Sequence, residues 1–203
     1  MRLLLVRHGE SLHRVRDIVS AEHGCPGLTD LGRRQVAALR DRFAAERLRA
    51  DVLLTSPAAR ARQTAELLRP ALGAPPLVEE RGLTELRLGE GEGLTGGEFR
   101  ARYEPFDLVA EPDRPICPGG ETWHGFGSRV RDTLDGLAAA HRGRTVVAAT
   151  HAGFAVVAFL VLFAVPRPGT GTRVDPGFAS VTEWRHDGGT WRLVRLDDTT
   201  HPG

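Results

Sequence analysis

The apolar positions of this chain follow two rhythms. "RLLLV" at 2–6, "ADVLLTSP" at 50–57 and "RTVVAAT" at 144–150 hold short continuous apolar runs, the pattern of parallel strands covered on both faces. Between them, apolar residues recur every three or four positions. "LTDLGRRQVAALRDRFAAERL" brings Val36, Leu39 and Phe43 onto one helical face, with Thr29 placed to cap it. "AARARQTAELLRPAL" reads as a second helix, with Ser56 as its cap, Pro57 as its first residue and a stop near Pro70 and Gly73. In "ETWHGFGSRVRDTLDGLAAAH" the residues Trp123, Phe126, Val130, Leu134 and Leu137 share a face. The apolar run at 154–165 is shorter than the roughly 18 residues a membrane-spanning helix needs, and reads as a buried helix. "FASVTEW" and "TWRLVRL" alternate as strands about "RHDGG", a turn in which Asp187 and Gly188 tolerate positive φ.

Strands alternating with helices predict an α/β three-layer sandwich: a mostly parallel central sheet, helices on both faces, and one antiparallel edge strand or hairpin. The pattern is weak in one place. After a short strand near Leu77 comes a glycine-rich acidic loop, and residues 99–120 carry prolines without clear periodicity. This predicts one domain over residues 1–203, with a small flap at about 86–120.

Composition removes several classes of function. Twenty-seven basic and 26 acidic residues leave a formal charge of +1, which supplies no broad positive field for nucleic acid. All the basic residues are arginine. "MRLLLV" is too short for the apolar core of a signal peptide and no small-residue cleavage site follows it, so a cytoplasmic protein is expected, without membrane association. Cys25 and Cys117 each stand beside a proline with no partner motif, and are expected to be inert thiols.

In folds of this kind ligands bind beyond the carboxyl ends of the strands, where helix N-termini also point. "VRHG" and "ATHAG" both lie at such ends, as does the loop leading to Ser56. Arg7, His8, Arg60 and His151 therefore form a set of two guanidiniums and two imidazoles that fits a phosphate group. Guanidinium forks match phosphate oxygens, a helix N-terminus adds backbone donors, and a neutral imidazole can attack phosphorus to form a covalent intermediate. Neighbouring arginines would keep that imidazole unprotonated and stabilise charge on the transferring oxygens.

With these residues in place, the chain resembles the histidine phosphatase superfamily, the group that includes phosphoglycerate mutases. The likeness runs through "LVRHGES", "GLTDLGRRQ", "TSPAARARQTA", "LTELRLGEGEGLT", "PGGETW", "VVAATHAG" and "LDDTTH". It implies that His8 is the nucleophile that becomes phosphohistidine, and that Arg7, Arg60, His151, Ala152 and Gly153 hold the phosphoryl group. Glu85, at the family's Leu-x-Glu position, would protonate the leaving oxygen and later deprotonate water; Glu92 is expected to be structural. Arg14 stands where many members have asparagine, and His13 where many have an aromatic residue. Ser11, Arg14 and Tyr103 are candidates for contacts with the rest of the substrate. No metal or nucleotide motif is present, and a metal held by His8, His13 and His23 would compete with the phosphate pocket, so no cofactor is expected.

Three functions stay open: a phosphomonoester hydrolase acting on a small phosphorylated metabolite, a phosphoglycerate-type mutase, and a non-catalytic module that binds a phosphorylated ligand. The short acidic flap favours the hydrolase over the mutase. Oligomeric state is open, a homodimer included.

Overall fold

Each apolar strand feeds two cores at once. The computed structural model describes residues 1–167, 169 and 174–201, and in it β1 (Arg2–Arg7), β2 (Val52–Thr55) and β4 (Thr145–Thr150) are buried along nearly their whole length. Leu4, Val6, Leu53, Val147 and Ala149 pack on one side with Val36, Leu39 and Phe43 of α2 (Asp30–Ala45) and Ala61, Ala65 and Leu68 of α3 (Ala59–Leu68). Leu3, Leu5, Val52, Leu54, Val146 and Ala148 point the other way, onto Phe126, Val130 and Leu134 of α5 (Trp123–Ala140) and Phe154, Val157 and Ala158 of α6 (Ala152–Phe163). The two-residue period of a strand divides a continuous apolar run between two helical layers, so both layers are required for either face to be dry.

The six strands lie in the order β3-β2-β4-β1-β5-β6, where β3 is Leu77–Glu79, β5 Val181–Asp187 and β6 Thr190–Asp198. The first four are mutually parallel, and β5 and β6 add antiparallel strands beside β1. This is the mostly parallel sandwich with a terminal hairpin that the pattern predicts.

Local details depart from the sequence reading in four places. Ser56 does not cap α3; Ala58 occupies that position without a side-chain bond, because the Ser56 hydroxyl is turned to His151. The hairpin turn is one residue later than expected: Asp187 still pairs with Thr190, and the positive φ values of 54° and 88° fall on Gly188 and Gly189, which carry no Cβ to clash. The flap opens with a helix, α4 (Gly96–Arg102), whose capping box joins Thr95 and Glu98, a local hydrogen-bond signal that outweighs the weak periodicity of the segment. A four-residue helix, α1 (Leu12–Val15), interrupts the polar loop after β1. The buried apolar helix begins at Ala152, and Cys25 and Cys117 are free thiols.

Candidate active site

Three neighbouring strands deliver the chemistry to one edge of the sheet. β2, β4 and β1 lie side by side and parallel, about 4.8 Å apart. The His8 amide donates to the Thr150 carbonyl (3.0 Å) and the Ser56 amide to that of Ala149 (3.0 Å), so the residues just past each strand end are adjacent. His8 and His151 meet edge to face with ring centroids 5.3 Å apart. Arg60 enters from the first turn of α3, and Ala152 opens α6 immediately after His151.

Hydrogen bonds fix how the His8 ring is presented. Its Nδ1 lies 2.8 Å from the Gly9 carbonyl, which can only accept, so Nδ1 carries the proton. Arg60 Nε–H donates to the other nitrogen, Nε2, at 3.1 Å. Nε2 therefore holds a lone pair facing a guanidinium. The Ser56 hydroxyl accepts from the Ala58 amide (3.4 Å) and lies 2.7 Å from His151 Nε2. A hydroxyl can both donate and accept, so this contact orients the His151 ring without fixing its tautomer. The other ring nitrogen, Nδ1, is buried without a hydrogen-bond partner among the described residues. Arg7 Nε is likewise buried without a partner, while the rest of that guanidinium donates to the Pro176 carbonyl, lies 3.5 Å from Asp175 and stacks 4.1 Å over Phe178. Arg7 Nε is a buried donor left unmatched beside a basic nitrogen, an arrangement that suits a group rich in acceptors.

Arg60 is 1% exposed and held on several sides: it donates to Ser20 Oγ (3.3 Å) and to the Ser20 (3.0 Å) and Ala21 (2.8 Å) carbonyls. That supporting loop is in turn fixed by Glu92, whose carboxylate accepts from the amides of Ala21, Glu22 and His23 at 2.6–3.0 Å. Glu92 thus has a structural place.

Burial and the guanidiniums act together on the imidazoles. Burial first, then Arg60, pushes His8 and His151 well below the ordinary value of 6.5, and His13, whose ring centroid is 6.1 Å from that of His8, is lowered to about 3 for the same two reasons in the same order. All three rings are neutral near pH 7, while Arg7 and Arg60 remain charged. The unfolded chain, with histidines near 6.5, binds more protons than the folded one below that pH, so stability is complete above it and declines on acidification. The melting temperature should fall steadily from about pH 7 to about pH 5, the interval below the unfolded imidazole value; a melting temperature constant across that interval contradicts this account.

Glu85 reaches the same edge from the loop after a 3₁₀ turn at Arg81–Leu83. Its Oε2 accepts from the Gly153 amide at 2.8 Å, and the approach depends on glycine, since a Cβ there would stand 2.1 Å from Oε1. That amide is occupied by Glu85, which leaves Ala152 as the residue of the pair whose amide opens the helix. The structure therefore brings together Arg7, His8, Arg60, Glu85, His151, Ala152 and Gly153. Ser11 is fully buried with its hydroxyl 2.8 Å from His13 Nδ1. Arg14 is exposed on α1, close enough for its charge to act on Arg7 and His13. Tyr103 stacks on Phe99 inside the flap (5.1 Å) and does not join the cluster around His8.

Ser56, read from the sequence as a helix cap, and His13, read as a departure from the family's aromatic residue, were not assigned to the site. The position of Ser56 past a strand end, shared with His8 and His151, was the available signal.

The sequence model of the histidine phosphatase superfamily (branch 1) matches residues 3–199. A 2,3-bisphosphoglycerate-dependent phosphoglycerate mutase of Brucella anthropi is 30% identical over 155 residues, covering 73% of this chain and 75% of that protein. A metal-independent phosphoserine phosphatase of Arabidopsis thaliana is 27% identical over 154 residues, 74% of this chain; the match spans 64% of the plant protein, less than two thirds of its length. Among solved structures, Bacillus stearothermophilus YhfR superposes with a TM-score of 0.82 at 26% identity, covering 97% of this chain and 96% of the other.

Proposed function

We propose, since the chain belongs to the histidine phosphatase superfamily, that it is a phosphomonoester hydrolase acting on a small phosphorylated metabolite through a phosphohistidine at His8. The observation that carries this reading is the His8 Nε2 lone pair facing Arg60, with Arg7 Nε and His151 Nδ1 both buried and unmatched among the described residues. A phosphate dianion, whose oxygens only accept, matches Arg7 Nε–H and, with the His151 proton on Nδ1, that nitrogen too, and it accepts the Arg60 Nε–H hydrogen bond that otherwise engages Nε2. Freed in this way, Nε2 attacks phosphorus as the bond to the ester oxygen breaks. Glu85 gives that oxygen its proton and the alcohol leaves. Water then attacks phosphorus, Glu85 takes its proton, and the nitrogen–phosphorus electron pair returns to Nε2.

Hydrolysis is favoured over mutase chemistry by the flap. A mutase must hold a doubly charged substrate away from water, yet Arg100 lies 3.8 Å from Asp17 and Arg114 lies 3.3 Å from Glu111 and stacks 4.5 Å over Phe106. Arg100 and Arg114 are thus engaged by carboxylates, and Arg102 has no ion pair among the described residues. Arg14 has no ion pair among the described residues and is the group we assign to a second anionic substituent on the substrate. Phosphate release from a panel of phosphorylated metabolites, run beside a 3-phosphoglycerate interconversion assay, tests the reading. Release of inorganic phosphate without interconversion is expected; efficient interconversion contradicts it.

Gly153→Ala probes Glu85 without touching it. The added methyl displaces the carboxylate, while the helix turn tolerates alanine well. kcat/KM for an alkyl phosphate should drop about 10- to 100-fold, and that for 4-nitrophenyl phosphate, whose leaving group needs little protonation, should change by less than about 3-fold. Equal losses on both would remove Glu85 from the proton-transfer role.

A further inference from the structure

Arg129 lies on α5, near enough for its charge to act on His151, yet no step above uses it. All five of its N–H donors are nevertheless matched. Nε and Nη2 grip the two oxygens of Glu121 at 2.7 Å each; Nη1 donates to the carbonyls of Gly82 (2.7 Å) and Thr84 (2.9 Å), and Nη2 also donates to that of Glu85 (3.1 Å). Three carbonyls within four residues converge on one planar fork. A chain can turn its carbonyls inward like this only if a donor set of matching geometry awaits them, and the turn sends the Glu85 side chain outward to the Gly153 amide. Thr150 Oγ1 holds the intervening Leu83 carbonyl at 2.8 Å, which places the same turn against the strand that carries His151.

We infer that Arg129 is a positioning residue for Glu85, its guanidinium serving as the template on which the 82–85 turn is set so that the acid faces the ester oxygen. The inference rests on the reading of Glu85 as the proton donor. Glu121 completes the device. Its carboxylate orients the fork and accepts from the Arg87 amide (2.9 Å), while its own amide donates to the Arg87 carbonyl (2.9 Å). The stem of the flap and the loop of the acid are thereby tied to one ion pair, whose members are only 13% and 16% exposed. Lysine keeps the charge but has no fork, so it can serve one or two of these acceptors at a time.

The test compares Arg129→Lys, Glu85→Gln and the double variant on two substrates, an alkyl phosphate and 4-nitrophenyl phosphate, by kcat/KM, which reports the steps up to departure of the alcohol. Arg129→Lys should lower the alkyl value about 10- to 100-fold and the nitrophenyl value by less than about 3-fold, in parallel with Glu85→Gln. The double variant should be no worse than Glu85→Gln alone, because both changes remove one function. An equal loss on both substrates, or losses that multiply in the double variant, would show Arg129 to be merely structural and overturn the inference. Selectivity in Glu85→Gln without selectivity in Arg129→Lys defeats the inference and spares the reading of Glu85. No selectivity in Glu85→Gln defeats both. Should Arg129→Lys fail to fold, Glu121→Gln, which keeps the shape of the partner and removes its charge, carries the same expectations.

Discussion

Substitution of His8 by alanine should abolish turnover, lowering kcat by about 10⁴- to 10⁶-fold, the range in which loss of a covalent nucleophile falls. The reason is specific to the ring's hydrogen bonds. With Nδ1 committed to the Gly9 carbonyl, Nε2 is the ring's one nucleophilic atom, and neither water nor His151, whose Nε2 is engaged by Ser56, stands in for it. Binding should behave differently. Arg7, Arg60 and His151 remain, and Arg60 Nε–H loses its acceptor on His8, so inorganic phosphate should bind the variant at least as tightly as the native protein. Steady-state kinetics and calorimetric titration with phosphate measure the two quantities independently. A variant that keeps turnover within about 10-fold of native would remove covalent catalysis from the mechanism.

Replacement of Arg60 by glutamine should be nearly as damaging to activity, by about 10³- to 10⁵-fold, the scale of a guanidinium that stabilises a transferring phosphoryl group. Unlike the His8 variant, it should also lose stability. The carbonyls of Ser20 and Ala21 would be left buried without the donors they now have, and each such loss costs about 1–3 kcal/mol. A third consequence is electrostatic. After burial, Arg60 is the next cause holding the His8 ring neutral, so its removal raises the His8 value toward the ordinary one. On acidification the residual activity should therefore fail at a higher pH than in the native enzyme. A pH profile whose acidic limb does not move would contradict that assignment, whatever the size of the rate loss.

Much of this architecture is legible in the sequence because it rests on simple physical rules. "LLLV" and "VVAA" are apolar at consecutive positions, which a strand can satisfy only between two layers, and Val36, Leu39, Phe43 and Phe126, Val130, Leu134 supply the layers. Arg7, His8 and His151 are legible as a site because polar residues that end such strands must gather at one edge. Less could be read where function competes with local preference. Ser56 has every property of a helix cap, and only the fold shows that its hydroxyl serves His151 instead. Gly153 reads as an ordinary small residue in "THAG"; its need to be glycine comes from Glu85, 68 positions earlier in the chain, and distance in sequence hides that contact. Arg129 is one of two arginines on α5 and one of many in the chain, and nothing local marks it as the acceptor set's partner. The box of Thr95 and Glu98 was present in "TGGE", yet the glycines and prolines around it masked a seven-residue helix.

The exposure of Arg14 gives the reading a chemical direction for substrate searches. Small phosphomonoesters with a carboxylate or second phosphate on the alcohol portion should outperform neutral esters.

The central claim is that one ring nitrogen, Nε2 of His8, accepts the phosphoryl group. Rapid mixing with ³²P-labelled substrate, quenching in alkali and peptide mapping tests it most directly. The account predicts a burst of about one phosphoryl group per chain, on the peptide holding His8, stable to alkali and lost in acid, as expected of a nitrogen–phosphorus bond formed by a covalent nucleophile. Turnover without any protein-bound label in the burst phase, or label carried by the peptide of His151, would contradict it.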